Sequence, residues 1–335
     1  MPEFNKEIAT CDGNHEEISI PDNVIEQVRN YVPTIASMYR NNSFHNFEHA
    51  CHVTMSVKKL LKRVVTPELT DEQLEVMQNL ANEDMNPDDI IAAHIHTSTY
   101  GINSEPHALL ALTFSALIHD VDHPGVSNSQ LANENPRLGE MYRNTSIAEQ
   151  NSIDKAWDVL MQDQFSDLRE CLFYSKEEIV LFRQLLVNMV LATDIFDKQL
   201  NDMRTSRWNK AFPENGDWDS NLRATVVLEH IIQASDVSHT MQHWQVYQKW
   251  NKGLFLELYK AFKGGRLAKD PAILWYKAEL DFLDTYVIPL AMKLKGCGVF
   301  GVSGDEYLSY AMSNRSEWTE RGQEIVRDLV ASVSE

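Results

Sequence analysis

The sequence lacks the features of secreted, membrane-spanning and nucleic-acid-binding proteins. It has four cysteines in 335 residues, and none lies in a CxxC pair, which argues against a disulfide framework and favours reduced thiols. No run reaches about 18 apolar residues, and the first residues contain no signal-peptide core. The net charge of −19 opposes binding to nucleic acid or to an anionic membrane surface. These absences predict a cytoplasmic chain, or the cytosolic domain of a larger membrane-attached protein.

The sequence also lacks β-strand patterns, because no segment of useful length alternates apolar and polar residues. Apolar residues recur at helical spacing instead. The main periodic segments are 22–39, 55–65, 109–118, 221–234, 244–258, 275–294 and 315–333. This pattern predicts an all-α fold in which residues 21–335 form a single compact multi-helix bundle. Residues 1–20 carry little apolar periodicity and are predicted to form a loose N-terminal arm.

One apolar run ends in a His-Asp pair at a point where a helix cannot continue. Leu109–Ile118 leads directly to His119 and Asp120, and a Pro-Gly pair follows within six residues. Adjacent helical residues point about 100° apart, so the pair can share one ion only near a helix end or bend. A His-Asp dipeptide alone is usually a chance surface pair. At the end of an apolar helix, with His123 close by, it is a candidate site for zinc, manganese or magnesium.

Two further segments contribute candidate ligands. His45, His49 and His52 lie four and three residues apart, so a helix would place them on one face. The alternative is a polar helix start whose histidines face solvent. The apolar run 221–234 is followed closely by Asp236, as the earlier run is followed by Asp120. Asp236 is therefore either a metal ligand or the N-cap of the next helix.

Two ordered motifs give the chain a family resemblance. They are His45-Asn46-x-x-His49 and His119-Asp120-x-x-His123-x-x-x-x-Asn128. Together they resemble the catalytic domain of class I cyclic nucleotide phosphodiesterases, over residues 25 to 330. The resemblance implies hydrolysis of cAMP, cGMP or both to nucleoside 5′-monophosphates, with regulatory domains outside this segment. The alternatives are another nucleotide phosphohydrolase of the His-Asp superfamily, and a cyclic nucleotide sensor that does not hydrolyse its ligand.

The resemblance also implies a dinuclear metal site in a deep pocket. The implied ligands of the tighter cation, zinc, are His49, His119, Asp120 and Asp236. Asp120 would bridge to a second cation, magnesium or manganese. A metal-bridged hydroxide would attack the cyclic phosphate, and His45 would act as general acid for the departing 3′ oxygen.

Other implied site residues surround these ligands. His123 would lie near the hydroxide, and Glu149 would support the metal waters or His45. Glu149 also follows Ser146 by three residues, in a capping-box pattern that is its simpler interpretation. The implied substrate-binding residues include Asn128 of the signature motif, and Thr193 and Asp194, which would line the pocket near the second cation.

The base-binding segment departs from the family pattern. Glu279 stands where the family has a glutamine, three residues before Phe282. Phe282 and Leu254 would clamp the base, although ordinary helix core is the alternative for both. His239 stands where many members carry asparagine or alanine. These differences leave the choice between cAMP and cGMP open.

Overall fold

A computed structural model describes residues 19–64, 99–102, 105–213, 219–301 and 304–334. These residues form fourteen α-helices, which we number α1 to α14 in chain order. The bounds are Asp22–Ser37 (α1), Phe47–Leu61 (α2), Pro106–Ile118 (α3), Asn128–Glu134 (α4), Pro136–Met141 (α5), Ile147–Leu160 (α6), Ser166–Leu172 (α7), Lys176–Val190 (α8), Lys198–Ala211 (α9), Ser220–Asp236 (α10), Trp244–Lys263 (α11), Trp275–Phe282 (α12), Ile288–Gly296 (α13) and Gly304–Ser334 (α14).

Short helical turns connect several of these helices. The 3₁₀ turns are Asp163–Phe165, Leu191–Thr193, Ser238–Met241 and Pro271–Ile273, and Leu283–Val287 is a π turn. No β-strand occurs in the part of the chain that the structure describes, so the all-α prediction is confirmed. The predicted N-terminal arm falls largely outside the described residues, and the division at residue 21 stays a prediction.

No single described helix is both long and apolar enough to cross a bilayer. Two consecutive segments, Lys176–Thr193 and Lys198–Ala211, are together long and apolar enough to cross a bilayer, but they are bent by 109° relative to each other.

Helix α10 is the centre of the bundle. It packs against α2, α3, α8, α9 and α13, and it is buried on all sides from Val226 to Ser235. Most residues in that stretch are apolar, and the polar residues Glu229, His230, Gln233 and Ser235 are buried among them. Helix α3 buries one side, on which Leu112 and Ile118 are fully buried, and each such side chain stabilises the fold by about 1.5–3 kcal/mol. The C-terminal ends of α3 and α10 therefore meet inside the protein.

The last helix is longer than predicted. Its expected start was residue 315, but α14 begins at Gly304. Tyr307, Ala311 and Trp318 are buried on one face. Asn314 interrupts the apolar pattern, yet it too is buried, because its amide donates to two backbone carbonyls in the segment 240–242, at 2.9 and 2.8 Å. Because Asn314 is polar, the apolar pattern of the sequence did not indicate that one helix continues through this position.

Candidate active site

Four side chains from three helix ends form one buried cluster. Ligand atoms of His49, His119 and Asp236 lie within 4.8 Å of one another. Asp236 Oδ1 is 2.9 Å from His49 Nε2 and 3.3 Å from His119 Nε2. Asp120 Oδ2 is 3.1 Å from His119 Nε2 and 3.8 Å from His49 Nε2. The structure thus brings together all four residues implied as ligands of the tighter cation.

Local structure explains how each side chain reaches this cluster. Asn46 caps α2 by accepting a hydrogen bond from the His49 backbone N–H at 3.0 Å, which sets the first turn of that helix. His119 directly follows α3, and its Nδ1 donates to the Ala116 carbonyl at 3.0 Å. In the neutral imidazole this hydrogen bond selects the tautomer with the proton on Nδ1, so that Nε2, which faces the cluster, would carry the lone pair needed to bind a cation. Because α3 ends here, adjacent His119 and Asp120 can share one centre.

Asp236 is not an N-cap. It is the last residue of α10, and the following turn, Ser238–Met241, has no side-chain cap. Its carboxylate instead contacts His49 and His119. Within α10 the capping role belongs to Asp219 at the other end, which accepts hydrogen bonds from the first backbone N–H groups.

The cluster fits a divalent cation. His119 Nε2 and Asp120 Oδ2 are buried and lack a hydrogen bond of acceptable geometry to any described residue, although buried polar atoms are nearly always bonded. Burial disfavours charge on His119, yet Asp120 and then Asp236 raise its pKa well above the usual value. The two carboxylates therefore favour positive charge here, and imidazole with carboxylate is a donor set that zinc prefers.

His45 lies beside the metal cluster, in a dyad with a glutamate. Its Nδ1 is 2.5 Å from Glu257 Oε1, and Glu257 Oε2 accepts from the backbone N–H groups of Phe44 and His45 at 2.8 and 3.0 Å. Burial disfavours the charged imidazole, but Glu257 and then Asp120 outweigh it and raise the pKa of His45 to about 9. The His123 ring stacks on His45 with centroids 3.8 Å apart. His45 therefore holds a proton at neutral pH.

Sequence reasoning missed Glu257. It offered Glu149 as a possible support for His45, but the carboxylate on His45 belongs to Glu257, 212 residues further along the chain. The sequence feature that could have indicated Glu257 is its position as a lone acid within an apolar stretch of α11. Gly125, with a positive φ of 69°, makes room for it, since a Cβ there would stand 3.3 Å from the Glu257 side chain.

Glu149 belongs to a separate polar cluster. Asn128 Nδ2 donates to Glu149 Oε2 at 2.9 Å and to Asp194 Oδ2 at 3.3 Å. The capping-box prediction is wrong, because Ser146 has a left-handed backbone and its hydroxyl donates to Asp194 Oδ2 at 2.6 Å. Asn128 Oδ1 caps α6 instead, accepting from the Ala148 N–H. Burial and then Asp194 raise the pKa of Glu149 to about 7.

One cavity of about 660 Å³ joins these groups. The predicted site residues that line it are His45, Asp120, His123, Asn128, Glu149, Thr193, Asp194, Asp236, His239, Leu254, Glu279 and Phe282. His49 and His119 are buried behind its wall. His239 is also buried, and its pKa is lowered to about 3 by burial and then by His49.

Glu279 is a buried acid in the lining of the same cavity. Burial raises the pKa of Glu279 to about 7, while hydrogen bonds from Tyr247 and Asn251 act in the opposite direction. The Tyr247 hydroxyl donates to Glu279 Oε2 at 2.7 Å. Trp275 Nε1 donates to the Asn251 amide oxygen at 3.2 Å and so turns the amide nitrogen away from the indole. No pattern in the sequence predicts these supporting residues.

Known proteins share this sequence pattern and this fold. A family profile described as 3′5′-cyclic nucleotide phosphodiesterase matches residues 44–296. The probable 3′,5′-cyclic-AMP phosphodiesterase pde-4 of Caenorhabditis elegans is 30% identical over 69% of this chain and 29% of its own length. The cGMP-specific 3′,5′-cGMP phosphodiesterase 3 of Dictyostelium discoideum is 20% identical over 88% of this chain and 56% of its own.

A solved structure resembles the whole bundle. It is the phosphodiesterase domain of the Salpingoeca rosetta rhodopsin phosphodiesterase, with a TM-score of 0.68 and 19% identity, over 92% of this chain and 86% of that one. At this identity the likeness shows the fold. The chain spans between a quarter and three fifths of the curated relatives it matches. Because the family profile covers well over half of the sequence, the chain belongs to the 3′,5′-cyclic nucleotide phosphodiesterase family.

Proposed function

We propose that residues 21–335 form one catalytic domain that hydrolyses cAMP, cGMP or both to nucleoside 5′-monophosphates. The observation that carries this proposal is that one cavity brings together a candidate cation site and a candidate general acid. A buried cluster suited to a cation stands beside His45, a histidine that is protonated at neutral pH. The cavity volume of about 660 Å³ suits a ligand the size of a mononucleotide.

His49, His119, Asp120 and Asp236 would hold the tighter cation, zinc by the chemistry of its donors. Asp120 would also reach a second cation, magnesium or manganese, for which carboxylate oxygen is the preferred donor. When bound, such cations polarise a phosphate and lower the pKa of a bound water to near neutrality. Burial opposes ionisation of Asp120, but His119 holds the pKa of that carboxyl well below its usual range.

His45 would protonate the 3′ oxygen as it departs. Glu257 occupies Nδ1, so Nε2 is the nitrogen available to the substrate. His123 would stay neutral beside it, because burial and then the charge on His45 lower the pKa of His123 to about 3. The stacked ring thereby restricts the orientation of the acid without competing for its proton.

The remaining polar residues would form the wall that faces the phosphate and the second cation. The residues assigned to this wall are Asn128, Glu149, Thr193 and Asp194. The hydrogen bonds among Asn128, Glu149 and Asp194 support this assignment, since they keep the three side chains together at the cavity.

The test of the proposed function is turnover of cAMP and cGMP with added magnesium and with EDTA. We expect 5′-monophosphate as product and loss of turnover in EDTA. Saturable binding without turnover would favour the sensor alternative. Faster hydrolysis of linear nucleotides than of cyclic ones would favour another phosphohydrolase of the His-Asp superfamily.

Glu257 gives a prediction about pH. A general acid works only while protonated, so activity falls as pH rises through the pKa of His45. Glu257 helps to raise that pKa to about 9. In Glu257→Gln we expect the pKa to fall, so that the ratio of kcat/KM at pH 8.5 to that at pH 7 drops about threefold if the pKa falls to about 8 and about tenfold if it falls to about 7. Glu48→Gln, an exposed acid on α2, is the control. An unchanged profile in Glu257→Gln would contradict the dyad.

Glu279 gives a prediction about the base. An ionised carboxylate only accepts hydrogen bonds, which suits the two adjacent donors of guanine, N1–H and N2–H₂. Adenine presents a donor beside an acceptor, which suits a neutral carboxyl. Since burial raises the pKa of Glu279 to about 7, both cyclic nucleotides should be used near neutrality. The cGMP-to-cAMP ratio of kcat/KM should rise with pH as Glu279 ionises. An unfavourable contact of about 1–3 kcal/mol between the carboxylate and the acceptor nitrogen of adenine corresponds to a rise of about 5- to 150-fold.

The matched variants are Glu279→Gln and Asp281→Asn. An amide does not titrate, so the ratio should be flat from about pH 6 to 9 in Glu279→Gln. Asp281 is an exposed acid two residues away, and its variant should keep the wild-type dependence. A flat ratio in the wild type that Glu279→Gln does not change would mean that Glu279 does not read the base.

A further inference from the structure

A second cavity lies outside the catalytic pocket, between α8, α9 and α10. Its volume is about 570 Å³, within the range of small-molecule sites. Leu185 of α8 and Leu200 of α9 contribute to apolar walls, while Val180 and Met203 line the cavity from exposed positions, with 56% and 52% of their surface accessible. The cavity can therefore enclose the apolar part of a small molecule.

The polar side of this cavity is positively charged, although the chain as a whole is strongly acidic. Arg207 of α9 pairs with the buried Glu229 of α10. Arg204, one turn away, is also stabilised by Glu229 and, more weakly, by Asp194 and Asp197, but burial outweighs them and lowers the pKa of its guanidinium. Arg183 at the rim pairs with Asp154 at 2.7 Å. Among the charged residues that line the cavity, three are arginines and one is a glutamate, so the lining itself carries an excess of positive charge. An anion bound there would stabilise these partly buried guanidinium groups.

Arg204 also holds the segment that lines the catalytic pocket. Its Nη1 donates to the Asp194 carbonyl at 3.1 Å and to the Asn201 side chain at 3.2 Å, and its Nη2 donates to the Leu191 carbonyl. The Asp194 carboxylate accepts a hydrogen bond from Ser146 on the catalytic side. One guanidinium therefore stands between the two cavities.

We propose that the cavity between α8, α9 and α10 binds a small amphipathic carboxylate and that binding alters the catalytic rate through Arg204. An apolar chain suits the leucine walls, and a carboxylate suits a lining in which arginines outnumber carboxylates. In a partly buried site an added ion pair should raise affinity about tenfold. The binding of a carboxylate does not depend on the proposed function. The effect on the catalytic rate does, because it requires that the chain hydrolyses cyclic nucleotides.

The test uses the whole chain and two probes of the same shape, octanoate and neutral octanamide, titrated by calorimetry. We expect octanoate to bind one site per chain, about tenfold more tightly than octanamide. Arg204→Met should abolish that difference. Met203→Glu, at an exposed position, should weaken octanoate binding by electrostatic repulsion, whereas the matched Met203→Lys should not.

Several results would overturn the proposal. Equal affinities for the two probes would do so, as would wild-type octanoate binding in both Arg204→Met and Met203→Glu. Displacement of octanoate by AMP would place the probe in the catalytic cavity instead. Saturating octanoate with no change in kcat or KM would refute the coupling through Arg204. A chain that never hydrolyses cyclic nucleotides would refute the proposed function while the binding measurements stayed valid.

Discussion

The Asp236→Ala variant is expected to lose bound metal and turnover together. Asp236 Oδ1 is the oxygen that contacts both His49 and His119, at 2.9 and 3.3 Å. Removal of groups that merely support a ligand costs 10–100-fold in metal affinity or activity, so loss of a charged ligand should cost about a hundredfold or more. Asp120→Ala should behave in the same way. Metal analysis of the purified proteins, with turnover measured alongside, checks both.

Asp219→Ala is the matched control, because Asp219 caps the opposite end of the same helix. Loss of that cap should lower the free energy of unfolding by about 0.5–2 kcal/mol and leave metal content unchanged. Full activity and full metal occupancy in Asp236→Ala would contradict the proposed metal site.

The His45→Ala variant is expected to keep its metals and lose about 10²–10⁴-fold in kcat, as removal of a general acid does. The His45 side chain hydrogen-bonds to Glu257 and to none of the four clustered ligands, so its removal should leave that cluster intact. A substrate whose leaving group needs no proton should largely escape the loss. Metal content and the rates on both kinds of substrate check the prediction.

His52→Ala is the matched control for this variant. His52 lies on α2 like His49, but its Nε2 faces Gln242, at 3.4 Å, outside the catalytic cavity. Its variant should retain both metal and rate. If His45→Ala lost metal instead, the roles proposed for His45 and His49 would have to be exchanged.

The sequence by itself determined the residues whose spacing is local. His49 and His52 lie in α2, as their spacing of three residues predicts, whereas the prediction that the same helix also carries His45 is wrong, because Asn46 is the N-cap and His45 precedes it. His119 and Asp120 can act together because Pro124 and Gly125 prevent the apolar helix from continuing, and α3 does end there. The all-α fold follows from the same kind of short-range information, since a period of 3.6 residues is visible within a single segment.

Only the tertiary structure decided which distant groups support these residues. Glu257 meets His45 across 212 positions of the chain, and Tyr247 meets Glu279 across 32. Periodicity reports which face of a helix is buried, but it does not report which helix covers that face. Glu257 and Tyr247 both lie on α11, so the contacts with His45 and Glu279 depend on how that helix packs in the folded chain. The pKa values of His45 and Glu279 depend on the same packing.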